Sequence, residues 1–359
     1  MIKMTVVFLF FLVLPSSYAS ITSASIFKEM QSTNPGVISG RTAATFSALV
    51  KKDQITIEQS DLSAGPLGAG SSFESSIDII NYSAFYGGKG GGLTTEIFAE
   101  TGSGGKNDKV IEPGNTIEYT TDSSLTNMSI GLGLFKGLGI SLLKVDAEDI
   151  QSVNGTLGGS TVSINTTSET SVTGFTIGTA FNLGLDYGFF YQKADYETKT
   201  NVVYASGSGN GEISGDRVGL GVGHANKVFR AEVGYVRNVK AMNAGDSGEL
   251  TPSMIEFTAE AKLGKLKLGY TGRYMMDGFF LYRNILFNVL AYQGTNEARL
   301  DNTFNFSYGS DSKGHSFSGS VSIGTTESEQ TQNLISSDNT KYKTVTSSKS
   351  FSLSYSYIF

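Results

Sequence analysis

From Ser350 to Phe359 the chain alternates without a fault: Phe351, Leu353, Tyr355, Tyr357 and Phe359 fall on one face, and Ser350, Ser352, Ser354 and Ser356 on the other. Successive side chains of a strand point to opposite faces, so this segment predicts a strand with one greasy wall and one hydroxyl wall. The pattern recurs upstream. Phe317, Val321 and Ile323 alternate with serines, and Phe304, Phe306 and Tyr308 with Thr303, Asn305 and Ser307. Ile255, Phe257, Ala259 and Ala261 alternate with Glu256, Thr258, Glu260 and Lys262. Phe229, Ala231, Val233 and Tyr235 oppose Arg230 and Glu232, while Leu185, Tyr187, Phe189 and Tyr191 oppose Asp186, Gly188 and Gln192. Alternating segments of about ten residues, parted by turn residues, are the signature of a membrane-spanning β-barrel. Charge on the polar face suits a wet or plugged lumen better than the dry core of a sandwich.

The spacing of the segments predicts topology. Very short links at Lys136-Gly137, Asn182, Ala225-Asn226 and Gly264 alternate with long polar stretches over 101–123, 148–168, 197–212, 239–249 and 327–344. Short periplasmic turns and long outer loops have this rhythm. Counting back from a periplasmic Phe359 predicts strands over 41–50, 75–86, 92–100, 124–135, 138–147, 169–181 and 183–196. The same count continues with 213–223, 226–238, 250–262, 264–276, 299–309, 314–326 and 345–359, which makes fourteen. One segment resists the count. Over 279–292 the apolar residues Leu281, Ile285, Leu286, Val289, Leu290 and Tyr292 are spaced as on one helical face, with Arg283, Asn284 and Asn288 opposite. It predicts a short helix in an outer loop, whose residues Phe280, Leu281, Ile285, Leu286, Val289 and Leu290 form a candidate shelf for a greasy substrate. The expected fold is all-β: an antiparallel up-and-down barrel of about fourteen strands with one loop helix.

Composition narrows where such a barrel resides. Lys3, the apolar run Thr5 to Leu14, Pro15 and Ser17-Tyr18-Ala19 predict a signal peptide over 1–19. The run is too short to span a bilayer. This leaves 20–40 as an N-terminal periplasmic or plug segment and 41–359 as the barrel. The absence of Cys means that no disulfide framework holds an exported chain. A net charge of −6 without basic clusters gives no electrostatic case for nucleic acid. The expected surroundings are bacterial outer-membrane lipid and lipopolysaccharide.

Little in the sequence points to covalent chemistry. The only histidines, His224 and His315, fall at predicted periplasmic turns, apart from any nucleophile or metal partner. No catalytic residue, cofactor or metal is expected. Gly131-Leu132-Gly133 and Gly219-Leu220-Gly221 lie inside alternating strands without a βαβ context, and read as small lumen-facing residues that leave room inside. Asp186, Arg217, Arg230, Glu232, Glu256, Glu260, Lys262, Lys265, Lys267 and Arg273 are expected as lumen charges, either packing the interior as salt bridges or tuning selectivity.

Asn34-Pro35-Gly36-Val37-Ile38, followed by Ala44-Thr45-Phe46-Ser47-Ala48-Leu49-Val50, resembles the start of FadL/TodX-type transporters, where an Asn-Pro-Ala hatch segment leads into the first strand. The resemblance implies a fourteen-stranded barrel that carries long-chain fatty acids or other hydrophobic compounds. It also implies a small N-terminal plug, here marked by Asn34, Pro35 and Gly36, and helices in some outer loops. Gly36 stands where the family has Ala. The family's third strand kinks inward and opens the wall sideways; Gly87, Gly88, Gly90, Gly91 and Gly92 would permit such a distortion here, or form a plain turn. The expected function is an outer-membrane channel for hydrophobic small molecules. The alternatives are a general porin for polar solutes and a structural or adhesive protein.

Overall fold

The computed structural model describes residues 34–40, 43–60, 72–90, 93–112, 115–135, 137–157, 160–202, 208–243, 253–276, 278–284, 289–296, 299–309, 313–333 and 339–359. The predicted signal peptide and residues 20–33 lie outside them. A 3-10 helix, η1 (Pro35–Gly40), precedes the strands β1 (Thr45–Ser60), β2 (Ser72–Gly90), β3 (Leu93–Glu112), β4 (Asn115–Phe135), β5 (Leu138–Leu157) and β6 (Ser160–Asn182). There follow β7 (Asp186–Val202), β8 (Ser208–Ala225), β9 (Phe229–Asn243), β10 (Met254–Leu263) and β11 (Leu266–Met275). The series ends with β12 (Gly278–Asn284), β13 (Val289–Asn296), β14 (Arg299–Gly309), β15 (Gly314–Asn333) and β16 (Asn339–Ile358). Neighbours from β1 to β11 pair in sequence order, β11 pairs with β14, and β14, β15, β16 and β1 close the ring. Fourteen antiparallel strands therefore form a closed ring, and beyond it β12 pairs, among the described residues, with β13 alone.

The expected loop helix is corrected to a β-hairpin. β11 and β14 end at the pair Met275↔Arg299, and β12 and β13 resume in the same register at Gly278↔Asn296. They prolong the β11–β14 hairpin outward, which is why the count of fourteen survives. β13 also pairs with β15 from Tyr292↔Gln332 to Asn296↔Ser328, so its backbone is hydrogen-bonded on both sides. A short apolar run does not by itself distinguish helix from strand, and here the ladder partners decide. Ile285 and Leu286 lie outside the described residues.

The long outer loops are likewise largely strand. β3 and β4 stay paired out to Glu112↔Asn115, β5 and β6 to Leu157↔Ser160, and β15 and β16 to Asn333↔Asn339. Backbone pairing needs no apolar face, so polar Thr-rich hairpins stand beyond the membrane. The ladders of β3 are unbroken on both sides, from Ser72↔Ile111 to Gly90↔Leu93 with β2 and from Thr94↔Gly133 to Glu112↔Asn115 with β4. Gly87 to Gly90 thus extend β2, and the described wall has no sideways opening at β3.

The outward positions form an apolar belt. Ile80, Tyr82 and Tyr86 on β2, Met128, Ile130 and Leu132 on β4, Phe304, Phe306 and Tyr308 on β14, and Phe351 and Leu353 on β16 are all exposed. Four or five outward positions per strand span roughly 20–30 Å at about 3.3 Å per residue, the height of a hydrocarbon core. Near the periplasmic rim His315, Tyr355, Tyr357 and Phe359 make an aromatic cluster, with ring centroids 4.8 Å apart for His315–Tyr357 and 4.9 Å for Tyr357–Phe359. Beyond the opposite edge the outward residues turn charged, as in Lys144–Asp146 (3.0 Å) and Lys52–Asp78 (3.6 Å). Phe304→Arg on the lipid face should therefore cost about 2–4 kcal/mol of assembly stability, whereas Asn305→Asp on the inner face should not. Refolding midpoints in urea, read by heat-modifiable gel mobility, check this; equal loss for both would contradict the inside–outside assignment.

Candidate transport lumen

Asn34-Pro35-Gly36 folds for a local reason. Asn34 Oδ1 accepts from the Gly36 N–H (3.0 Å), capping the first turn of η1. Pro35 sits where no N–H is needed and fixes φ. The turn is then pinned to the inner wall. Asn34 Nδ2 donates to the Thr179 carbonyl (2.9 Å), and Ser39 Oγ accepts from the Gly137 N–H (2.7 Å) while donating to the Gly36 carbonyl (2.9 Å). Asn34 and Ile38 are each 2 % exposed.

Glycines make the seat. A Cβ on Gly139 would strike the Pro35 carbonyl, on Gly178 the Asn34 side chain, on Gly131 the tip of Ile38 and on Gly133 the backbone of Ser39. The room left by Gly131-Leu132-Gly133 is thus filled by η1. Gly36 itself would place a Cβ 2.5 Å from the Thr179 backbone, a physical reason for glycine where the resembling family carries alanine. Gly219 belongs to a neighbouring contact, since the space beside it holds the fully buried ring of Phe190.

The glycines facing η1 also fix which parity faces inward, because their ladders run on without interruption through the wall. On β5, Leu143, Val145 and Ala147 share the face of Gly139; on β6, Val172 and Thr176 share that of Gly178; on β4, Leu125 and Asn127 share that of Gly131. Glu96 pairs directly with Gly131, which places Phe98 and, across the ladder, Phe85 on the inner face as well. Phe85↔Phe98 and Val145↔Val172 are direct cross-strand pairs. Over β2–β7 the lumen therefore carries an arc of apolar residues, interrupted on β3 by Glu96 and Glu100.

Sequence reasoning missed this arc. On these strands apolar residues occupy both faces, as in Leu142-Leu143 and Phe189-Phe190, and alternation loses its contrast. Those doublets were the available signal.

The other arc is charged. Arg230 Nη2 meets Glu232 Oε1 at 2.6 Å on β9, and Arg273 Nη2 meets Glu256 Oε2 at 2.9 Å between β11 and β10. Glu232 and Glu256 are buried, and Asp186 accepts from Asn182 Nδ2 (2.6 Å) near the β6–β7 turn. Glu260, Lys262, Lys267 and Arg217 lie on the inner face. Lys265 does not; it is exposed in the turn between β10 and β11. Phe280, Leu281, Val289 and Leu290 stand on the β12–β13 hairpin. His224 and His315 sit at strand ends, and His315 Nδ1 pairs with Tyr355 Oη (2.7 Å). Among the described residues no group of His, Cys, Asp or Glu could hold a metal.

No protein-family model and no curated protein matches the chain. Solved structures do. A Pseudomonas aeruginosa FadL homologue aligns with a TM-score of 0.60 at 10 % identity, over 96 % of this chain and 98 % of that one. The P. putida toluene transporter TodX aligns with a TM-score of 0.55 at 12 % identity, over 92 % and 93 %. A TodX mutant described as a monoaromatic hydrocarbon channel aligns with a TM-score of 0.57 at 12 % identity, over 96 % of both chains. At such identities the likeness establishes the fold. With the closed fourteen-stranded wall, its apolar belt and η1 against the inner face, this chain is a membrane-spanning β-barrel that shares the fold of the FadL homologue and of TodX.

Proposed function

We propose that the protein is an outer-membrane channel that passes hydrophobic small molecules along its lumen, with η1 as the plug at its periplasmic end. The observation that carries this reading is the apolar arc of Phe85, Phe98, Leu125, Leu143, Val145 and Val172 inside a membrane-spanning barrel. A pore for polar solutes has no use for it. Each methylene moved from water onto such a wall contributes up to about 0.8 kcal/mol. No bond is made or broken; the work is partition and passage. The neighbouring structures described as a toluene transporter and a monoaromatic hydrocarbon channel support the same substrate class.

Because β3 stays paired along both sides, the route proposed here is axial, past η1, rather than sideways through the wall. Phe280, Leu281, Val289 and Leu290 on the β12–β13 hairpin are candidates for first capture at the outer mouth. The charged arc favours a second reading, a porin, although Arg230–Glu232 and Arg273–Glu256 largely neutralise one another. Proteoliposomes separate the two. The transporter should admit an aromatic hydrocarbon while remaining closed to small sugars. Large steady conductance with no hydrophobic ligand bound would establish the porin.

A further inference from the structure

Resting on that transport reading, we propose that the apolar arc contains a polar subsite at Asn127, which accepts a hydrogen bond from the hydroxyl of an amphipathic substrate. The lumen then prefers neutral phenols and alcohols to carboxylates. Asn127 projects inward from β4, and its Nδ2 donates to Glu100 Oε2 across the ladder (3.2 Å). A carboxylate only accepts, so this bond fixes the orientation of the amide and leaves Oδ1 as the remaining acceptor. Oδ1 has no hydrogen-bond partner, and the residue is 2 % exposed. A buried acceptor left unpaired costs free energy that an incoming O–H would restore.

The surroundings fit the rest of such a molecule. Val145 lies directly across from Asn127 and is paired in turn with Val172, while Leu125 precedes it on the same face. Phe85 and Phe98 form the neighbouring cross-strand pair. Asn81, leaning over Gly102 on the adjoining strand, offers a second amide oxygen without a partner. Both unpartnered amide oxygens of this patch are acceptors, and Glu96 and Glu100 stand on the same wall. A carboxylate substrate would meet like charge there, whereas a hydroxyl would meet acceptors. Pocket polar groups of this kind discriminate because the wrong ligand leaves them unpaired.

The test displaces a fluorescent apolar probe from the full-length protein in detergent, using a para-alkylphenol, its methyl ether and the matching para-alkylbenzoate at neutral pH. The chain has no Trp, so the probe supplies the signal. The phenol should bind about fivefold or more tighter than the ether, the size of one hydrogen bond, and the benzoate most weakly. Asn127→Leu should erase the advantage of the phenol and keep binding of the ether, with heat-modifiable mobility showing that the variant folds. Equal binding of phenol and ether by the unaltered protein, or tightest binding of the benzoate, overturns the subsite whatever the variant does. Failure of all three compounds to displace the probe would overturn the transport reading beneath it.

Discussion

Gly178→Val is expected to turn a barrel of low conductance into an open pore. Gly178 faces η1 in a tight part of the seat, where a Cβ would strike the Asn34 side chain and come within 2.8 Å of Pro35 Cδ. The strand has no reason to give way, because it is laddered to β5 and β7 and valine suits an extended backbone. What can move is the short turn, held to the wall by the Asn34–Thr179 and Gly137–Ser39 hydrogen bonds. Overpacking typically costs about 1–3 kcal/mol, which lowers the docked population by a factor of roughly 5 to 150. Planar-bilayer recordings read the result directly. Gly105→Ala, where nothing lies within 4 Å of the added Cβ, should leave conductance unchanged. A folded Gly178→Val barrel as silent as the original would remove η1 from the role of plug.

Uptake of a hydrophobic substrate should fall roughly tenfold on replacing Val145 with Asp. Val145 lies between Asn127 and Val172 on the inner wall, so a carboxylate there wets the middle of the apolar arc. Losing contact with about two methylenes at ~0.8 kcal/mol each accounts for a factor of this size. Ser320→Asp is the matched control. It adds the same charge on the hydroxyl arc, where Ser320 Oγ and Ser352 Oγ are 2.7 Å apart, and should leave uptake nearly intact. Initial rates into proteoliposomes distinguish the outcomes. Equal losses would assign the effect to lumen charge rather than to the apolar surface, and no loss at Val145 would remove the arc from the route.

Much of the wall was legible in the sequence, but in an uneven way. On β14 and β16 the inner face is polar, so Phe304, Phe306, Phe351 and Leu353 stand out and the strands are located well. On β5 and β7 apolar residues point both ways, and the strands were recognisable while the lining was not. The outer ends were underestimated for a different reason. Beyond the belt neither face need be apolar, so β3 runs on to Glu112 and β5 to Leu157 through sequence that reads as loop. The β12–β13 hairpin was misread as a helix because Leu281, Val289 and Leu290 satisfy a helical spacing, and periodicity carries no information about ladder partners.

The sequence by itself determined that the chain forms a barrel and that fourteen strands make its wall. A bilayer demands that every spanning strand show one apolar face and that every backbone group be paired in a closed sheet. Those demands act residue by residue and leave a period of two in the chain. Only the tertiary structure decided where Asn34-Pro35-Gly36 docks, which glycines make its seat, and that Phe98, Val145 and Val172 share a wall with Asn127. These depend on partners far apart along the chain, such as Asn34 and Thr179, separated by 145 residues. Which of them meet is set by register and closure of the whole sheet, quantities that no local pattern encodes.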